Sequence, residues 1–176
     1  MMMKMKNKFN RIHFSSIKGE WNTPQEFFLF LNSLFHFTFD PCKPPVIGNF
    51  KGNGLKEHWG KRVFCNMPYD EVMKWISWGW IELCEGKTVE LIAFLIPGRP
   101  DTEWFDRLYK WGGQFYKIKG RLKFSNHNNS APFPSMVCVL NWKNPLEYWK
   151  KLKIISEEEY LLELATRRAI IRPQYS

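Results

Sequence analysis

Asn66, Met67, Pro68 and Tyr69 stand together in RVFCNMPYDEV (62–72), where a short apolar run ends in an amide, a proline and an aromatic ring. Those groups suit the exocyclic amine of a flat base. The lone pair of such an amine is delocalised into the ring, which makes it a poor nucleophile. An amide oxygen and a neighbouring backbone carbonyl, both accepting from the amine hydrogens, draw the nitrogen toward tetrahedral geometry and aim the lone pair at a methyl donor. An aromatic face holds a base that has been taken out of its stack. The Asn66 side chain, the Met67 carbonyl and the Tyr69 ring offer these parts. A proline turn at a strand end uses the same residue types, and so short a pattern arises by chance. The surrounding elements have to decide between the two.

Those elements alternate. TPQEFFLFLNSLF (23–35) reads as a helix with Thr23 as cap, Pro24 at the first helical position and Glu26 completing a capping box. FTFD (37–40) is a candidate strand ending on Asp40, and residues 43–60, rich in Gly, Pro and Asn, read as loop. RVFCN (62–66) is the next strand. Residues 70–85 predict a helix stopped by Gly86. TVELIAFLIP (88–97) is apolar on both faces, as a central strand should be. Asp101 or Thr102 then caps a helix through about Trp111. QFYKI, RLKF and SMVCVL are later strand candidates, the first two as a hairpin around Gly120. NPLEYWKKL and ISEEEYLLELATRRAII have helical patterns.

This order predicts an α/β fold with a mainly parallel sheet finished by antiparallel strands. Ligands of such sheets bind at the carboxyl ends of the strands. Asp40, Asn66 and the stretch from Pro97 to Asp101 all fall there.

The chain has 176 residues, 44% of them hydrophobic, enough for one domain with a substantial core. No apolar run approaches the ~18 residues of a membrane span. The net charge of +9 favours a polyanionic partner such as nucleic acid. Cys42, Cys65, Cys84 and Cys138 are far apart, form no C-x-x-C pair and read as buried free thiols in a reducing compartment. The four histidines make no ligand pattern either, so no metal is expected. MMMKMKNKFNRIHF is basic without the apolar core of a signal peptide. The division expected is a basic tail over 1–19, a core over 20–145 and a helical extension packed on it over 146–176.

In order along the chain, EWNTPQEFF, FTFDPC, GLKEHWGKRVFCNMPY, TVELIAFLIPGRPDTEWF, GRLKF and APFPS give it its resemblance to the phage-type DNA N6-adenine methyltransferases, over roughly residues 20–140. The resemblance implies a trimmed Rossmann-like fold, S-adenosylmethionine as cofactor, double-stranded DNA as substrate and the cytoplasm of a bacterial host as location. It implies that Trp21, Thr23 and Pro24 approach the methionine end of the cofactor, that Asp40, Pro41 and Cys42 line its pocket, and that Asn66, Met67, Pro68 and Tyr69 are the catalytic tetrad. The sequence departs from the family in three places. Met67 replaces a proline that would restrict Asn66. Only 25 residues lie between Asp40 and Asn66, with no glycine-rich loop among them. Asn53 stands before Gly54-Leu55 where an acid is usual.

Arg99 is a candidate for a phosphate or for the cofactor carboxylate, while Asp101 and Thr102 suit helix capping better than catalysis. Arg121 and Lys123, in the polar stretch GRLKFSNHNNSAPFPS (120–135), are candidate DNA contacts, although that stretch equally suits a turn into the last strand. Trp75, Trp78 and Trp80 fit a helix packed on a sheet better than base stacking. Two other functions stay open from sequence: a nucleic-acid-binding protein that kept the fold and lost activity, and a methyltransferase acting on RNA.

Overall fold

The computed structural model describes residues 21–85, 88–124 and 130–141. The tail and the extension expected at the two ends lie outside the described residues. Within them the chain runs α1 (Gln25–Phe35), β1 (Arg62–Cys65), α2 (Val72–Glu85), β2 (Leu91–Pro97), α3 (Glu103–Lys110), β3 (Gln114–Lys117) and β4 (Ser135–Asn141). The strands order as β1-β2-β4-β3 in one sheet.

β2 is the centre, buried along its whole length, and its alternation builds two cores. Ile92, Phe94 and Ile96 face Trp75, Ile76, Trp80 and Leu83 of α2 together with Leu108 of α3. Leu91, Ala93 and Leu95 face Phe28 and Leu31 of α1 together with Leu122, Phe124 and Phe133. The tryptophans of α2 serve the first core: Trp80 stacks on Trp111 with ring centroids 4.8 Å apart and Trp75 is 8% exposed. No helix among the described residues is long and apolar enough to cross a membrane.

The pairing corrects the expectation of a mainly parallel sheet. β1 and β2 are parallel, but β2 pairs antiparallel with β4 over seven residues, and β4 antiparallel with β3. FTFD contributes only a parallel bridge between Phe39 and Val63. Its pairing stops early because Thr38 and Phe39 both donate to the same Arg62 carbonyl, after which the Asp40 carboxylate turns the chain by accepting from Cys42 N and Val46 N. The hairpin around Gly120 does not form. Gly120 does turn the chain with φ +79°, but β3 pairs with β4, and residues 121–124 carry Leu122 and Phe124 into the second core. Burial of those two side chains outweighs the ladder a hairpin would have made.

Two capping expectations also change. Helix α1 begins after Pro24 with no side-chain cap, and α3 likewise has Thr102 at its cap position without a cap bond. The Thr102 hydroxyl donates to the Arg99 carbonyl, and Asp101 pairs with the Arg99 guanidinium.

Candidate active site

Phe39 and β1 run parallel, and their carboxyl ends release Asp40 and Asn66 side by side, at the end of the sheet where α/β folds hold ligands. A cavity of about 740 Å³ opens there, within the range that takes a nucleoside-sized ligand. Of the residues singled out in the sequence, Trp21, Thr23, Asp40, Pro41, Cys42, Asn53, Asn66, Met67 and Pro68 line it. Pro24 does not; its carbonyl accepts from Phe28 N at the head of α1.

Asn66 sits between the cavity and the second core. Its Nδ2 donates to the Trp21 carbonyl and, at 2.9 Å, to the Thr23 hydroxyl. Its Oδ1 is buried and accepts no hydrogen bond. Both amide hydrogens are therefore taken, and the acceptor is left without a protein donor. A buried oxygen without a partner costs about 1–3 kcal/mol, so its presence beside a cavity marks a place where a donor belongs. Met67 fills the first core at 2% exposure. Its packing restrains the backbone that proline would otherwise have fixed.

Tyr69 is turned away from the cavity. Its ring packs edge-to-face on Phe133 at 5.3 Å and on Phe124 at 6.5 Å, and Trp21 meets the same two rings. Its hydroxyl is buried without a partner, and burial pushes the phenol far above its ordinary range. The site thus has two sides: a cavity before Asn66 and an aromatic cluster behind it.

The Asp40 carboxylate is 1% exposed and takes Cys42 N at 2.8 Å and Val46 N at 2.9 Å. Burial pushes its pKa from 3.8 up to about 6, outweighing the two backbone donors that pull it down. Cys42 and Cys65 lie with their sulfurs 3.5 Å apart, and burial keeps both thiols protonated. The sulfur of Cys42 also meets the Asn66 backbone N–H.

Asn53 is a turn-former: its Oδ1 accepts from Leu55 N and its own N–H donates to Glu57 Oε1. A carboxylate does stand beside position 53, that of Glu57, which lies over Gly52 so closely that a Cβ there would overlap it. Position alone gave no reason to choose Glu57; the signal was an acid one helical turn after a Gly-Asn-Gly stretch. Gly54 is held by Trp59, whose Nε1 donates to its carbonyl at 2.7 Å, while Trp59 N donates to the buried Glu82 of α2. A Cβ on Gly54 would run into the Pro41 carbonyl and come within 2.8 Å of the Trp75 ring. Gly54→Ala is therefore expected to lower stability by about 1–3 kcal/mol in urea unfolding. An unchanged midpoint would show that the 52–57 turn gives way freely.

The basic candidates lie on the aromatic side. Arg99 makes a two-bond pair with Asp101, Arg121 donates to the Ala131 carbonyl and Lys123 is exposed. Gly98 N bonds the Pro134 carbonyl. That contact ties the Arg99 turn to the segment that carries Phe133.

A family model described as DNA N-6-adenine-methyltransferase (Dam) matches residues 13–152. Neither the curated proteins nor the solved structures gave a match.

Proposed function

The chain belongs to the DNA N-6-adenine-methyltransferase family, and from that premise we propose that it transfers the methyl group of S-adenosylmethionine to N6 of an adenine extruded from double-stranded DNA. The observation that carries this reading is the Asn66 amide. Its hydrogens are held by Trp21 and Thr23, and its oxygen is a buried acceptor with no protein donor. An adenine amine supplies the missing donor. With the Met67 carbonyl accepting its second hydrogen, the amine pyramidalises and its lone pair becomes available. The surplus proton becomes acidic once the nitrogen is alkylated, so no strong base is needed at the tetrad.

The cavity fits the cofactor by chemistry as well as size. Asp40 is an anionic wall, Trp21 and Trp75 are aromatic ones, and Pro41, Pro44 and Val46 are apolar. Glu57, which contacts Asn53 and Gly52 of the cavity lining, is our candidate for a carboxylate that takes ribose hydroxyls. Bound there, S-adenosylmethionine supplies a methyl group on a sulfonium that the amine displaces directly. The fold reading is a trimmed Rossmann-like methyltransferase core, supported by the parallel unit of Phe39, β1 and β2 with helices on both faces and the cavity at its carboxyl end.

The base enters from the other side, where Tyr69 stacks on it after parting from Phe133. Arg99, Arg121 and Lys123 flank that side and meet phosphates. The Arg99–Asp101 pair is exposed, so it yields to a phosphate at little cost. With a net charge of +9, binding to duplex should weaken steeply as salt rises.

The test is product formation. Purified protein, duplex DNA and S-adenosylmethionine are incubated, the DNA is digested, and N6-methyladenine is measured by mass spectrometry beside a structured RNA arm. Product in the duplex arm supports the proposal. A folded protein that binds duplex yet makes no N6-methyladenine would sink it in favour of a binding module. Product in the RNA arm alone would reassign the substrate.

A further inference from the structure

The head of α1 breaks a local rule. Thr23 precedes Pro24 and has a glutamate three residues on, the arrangement that normally closes a capping box. Here Pro24 takes the cap position and makes no side-chain cap bond. The Thr23 hydroxyl meets the Asn66 amide, 43 positions away, and accepts from Nδ2 at 2.9 Å, with the residue 6% exposed. Local rules that fail without compensation nearby usually fail at functional sites.

An amide is nearly symmetrical in shape, and its two orientations differ only in which atom faces the substrate. Rotated by half a turn, Asn66 would present its NH₂ to the adenine amine, donor against donor, and catalysis would stop. What forbids that rotation is the Trp21 carbonyl, while the Thr23 hydroxyl, able to accept or to donate, holds the second hydrogen of the amide. In the rotated state Oδ1 would face the Trp21 carbonyl, which has no hydrogen to give.

We propose that Thr23 is a positioning residue that holds the Asn66 amide in place while the Trp21 carbonyl sets which atom faces the substrate, rather than chiefly a cofactor contact. This rests on the methyltransferase reading given above. Trp21 and Thr23 also line the cavity, so one short segment touches the cofactor on one side and holds the catalytic amide on the other. An occupied cavity therefore firms the segment that orients Asn66.

Thr23→Val keeps the β-branched shape and removes the acceptor; Thr23→Ser keeps the acceptor. The loss of one hydrogen bond on the amide predicts a kcat about tenfold lower in Thr23→Val. KM for S-adenosylmethionine should stay within about twofold, and Thr23→Ser should recover most of kcat. A raised KM with kcat intact would overturn the proposal, because it would make Thr23 a cofactor contact. A second readout needs no activity. The Asn66 side-chain NH₂ resonances, assigned by their loss in Asn66→Ala, should be protected from exchange in the native protein and in Thr23→Ser, and exposed in Thr23→Val. Unchanged protection in Thr23→Val overturns the positioning role. If the native protein makes no N6-methyladenine, the methyltransferase reading falls, and the resonances still decide whether Thr23 holds the amide.

Discussion

Asn66→Ala is expected to lower the rate of N6-methyladenine formation by about 10²–10³-fold, the loss seen when one preorganised hydrogen-bonding group is removed from a site that stabilises developing charge. Among the described residues the side chain provides the only buried side-chain amide oxygen without a hydrogen-bond partner, and Asn66 lines the cavity. Its removal leaves the Met67 carbonyl as sole acceptor, and the amine stays conjugated with its ring. The fold should survive. Asn66 lies just past the end of β1 and adds no apolar contact to either core, and alanine also removes a buried acceptor that had no partner. Cofactor binding by calorimetry should stay near native, since the cavity keeps its Asp40, Trp21 and Trp75 walls. Thus kcat falls and the affinity for S-adenosylmethionine does not. A variant that lost both in proportion would place Asn66 in the cofactor site instead and would require another group to activate the amine.

Parts of this arrangement were legible in the sequence, and the boundary between those parts and the rest is physical. β2 could be read from LIAFLIP because a strand buried on both faces needs an unbroken apolar run. The position of Asp40 and Asn66 at strand ends followed from element order alone. The contact that Thr23 makes could not be read, because its local pattern names a cap and the hydroxyl meets the Asn66 amide across 43 positions. The supposed hairpin failed for a related reason. RLKF alternates like a strand, but Leu122 and Phe124 are drawn into a core assembled from α1, β2 and β4, and no local pattern records that demand. Tyr69 could be read only as the ring that closes the Asn-Met-Pro-Tyr stretch. Its packing against Phe124 and Phe133 was not legible, because those rings come from residues more than fifty positions further on. Insertion of β4 between β2 and β3 is likewise decided by tertiary burial, and it makes the sheet less parallel than its element order suggests.

Asp40 gives the second large effect, in the pH dependence of both stability and binding. Its folded-state pKa is raised from 3.8 to about 6 by burial. The fold therefore prefers the protonated acid. The stability it contributes is fully present below about pH 4 and is lost as pH rises through 6, a total of about 3 kcal/mol for a shift of this size. Binding should run the other way. The carboxylate that destabilises the fold is the anionic wall of the cavity, and the sulfonium proposed to bind there is a cation. Affinity for S-adenosylmethionine is thus expected to rise through pH 6 while stability falls. Asp40→Asn tests both at once. The asparagine oxygen still accepts one of the two backbone hydrogens, but its NH₂ meets the other, so the variant should lie about 1 kcal/mol below the native protein at low pH, where the native acid is protonated. The level is therefore uninformative and the slope decides. Urea unfolding between pH 4 and 8 should be flatter in Asp40→Asn than in the native protein, and the pH dependence of cofactor affinity should vanish with it. Calorimetry in buffers of different ionisation heat should also show proton release on cofactor binding near pH 6 in the native protein alone, since a bound cation favours the carboxylate. Parallel unfolding profiles would mean that Asp40 ionises as an ordinary surface acid does, and the cavity wall would then carry its charge at no cost to the fold.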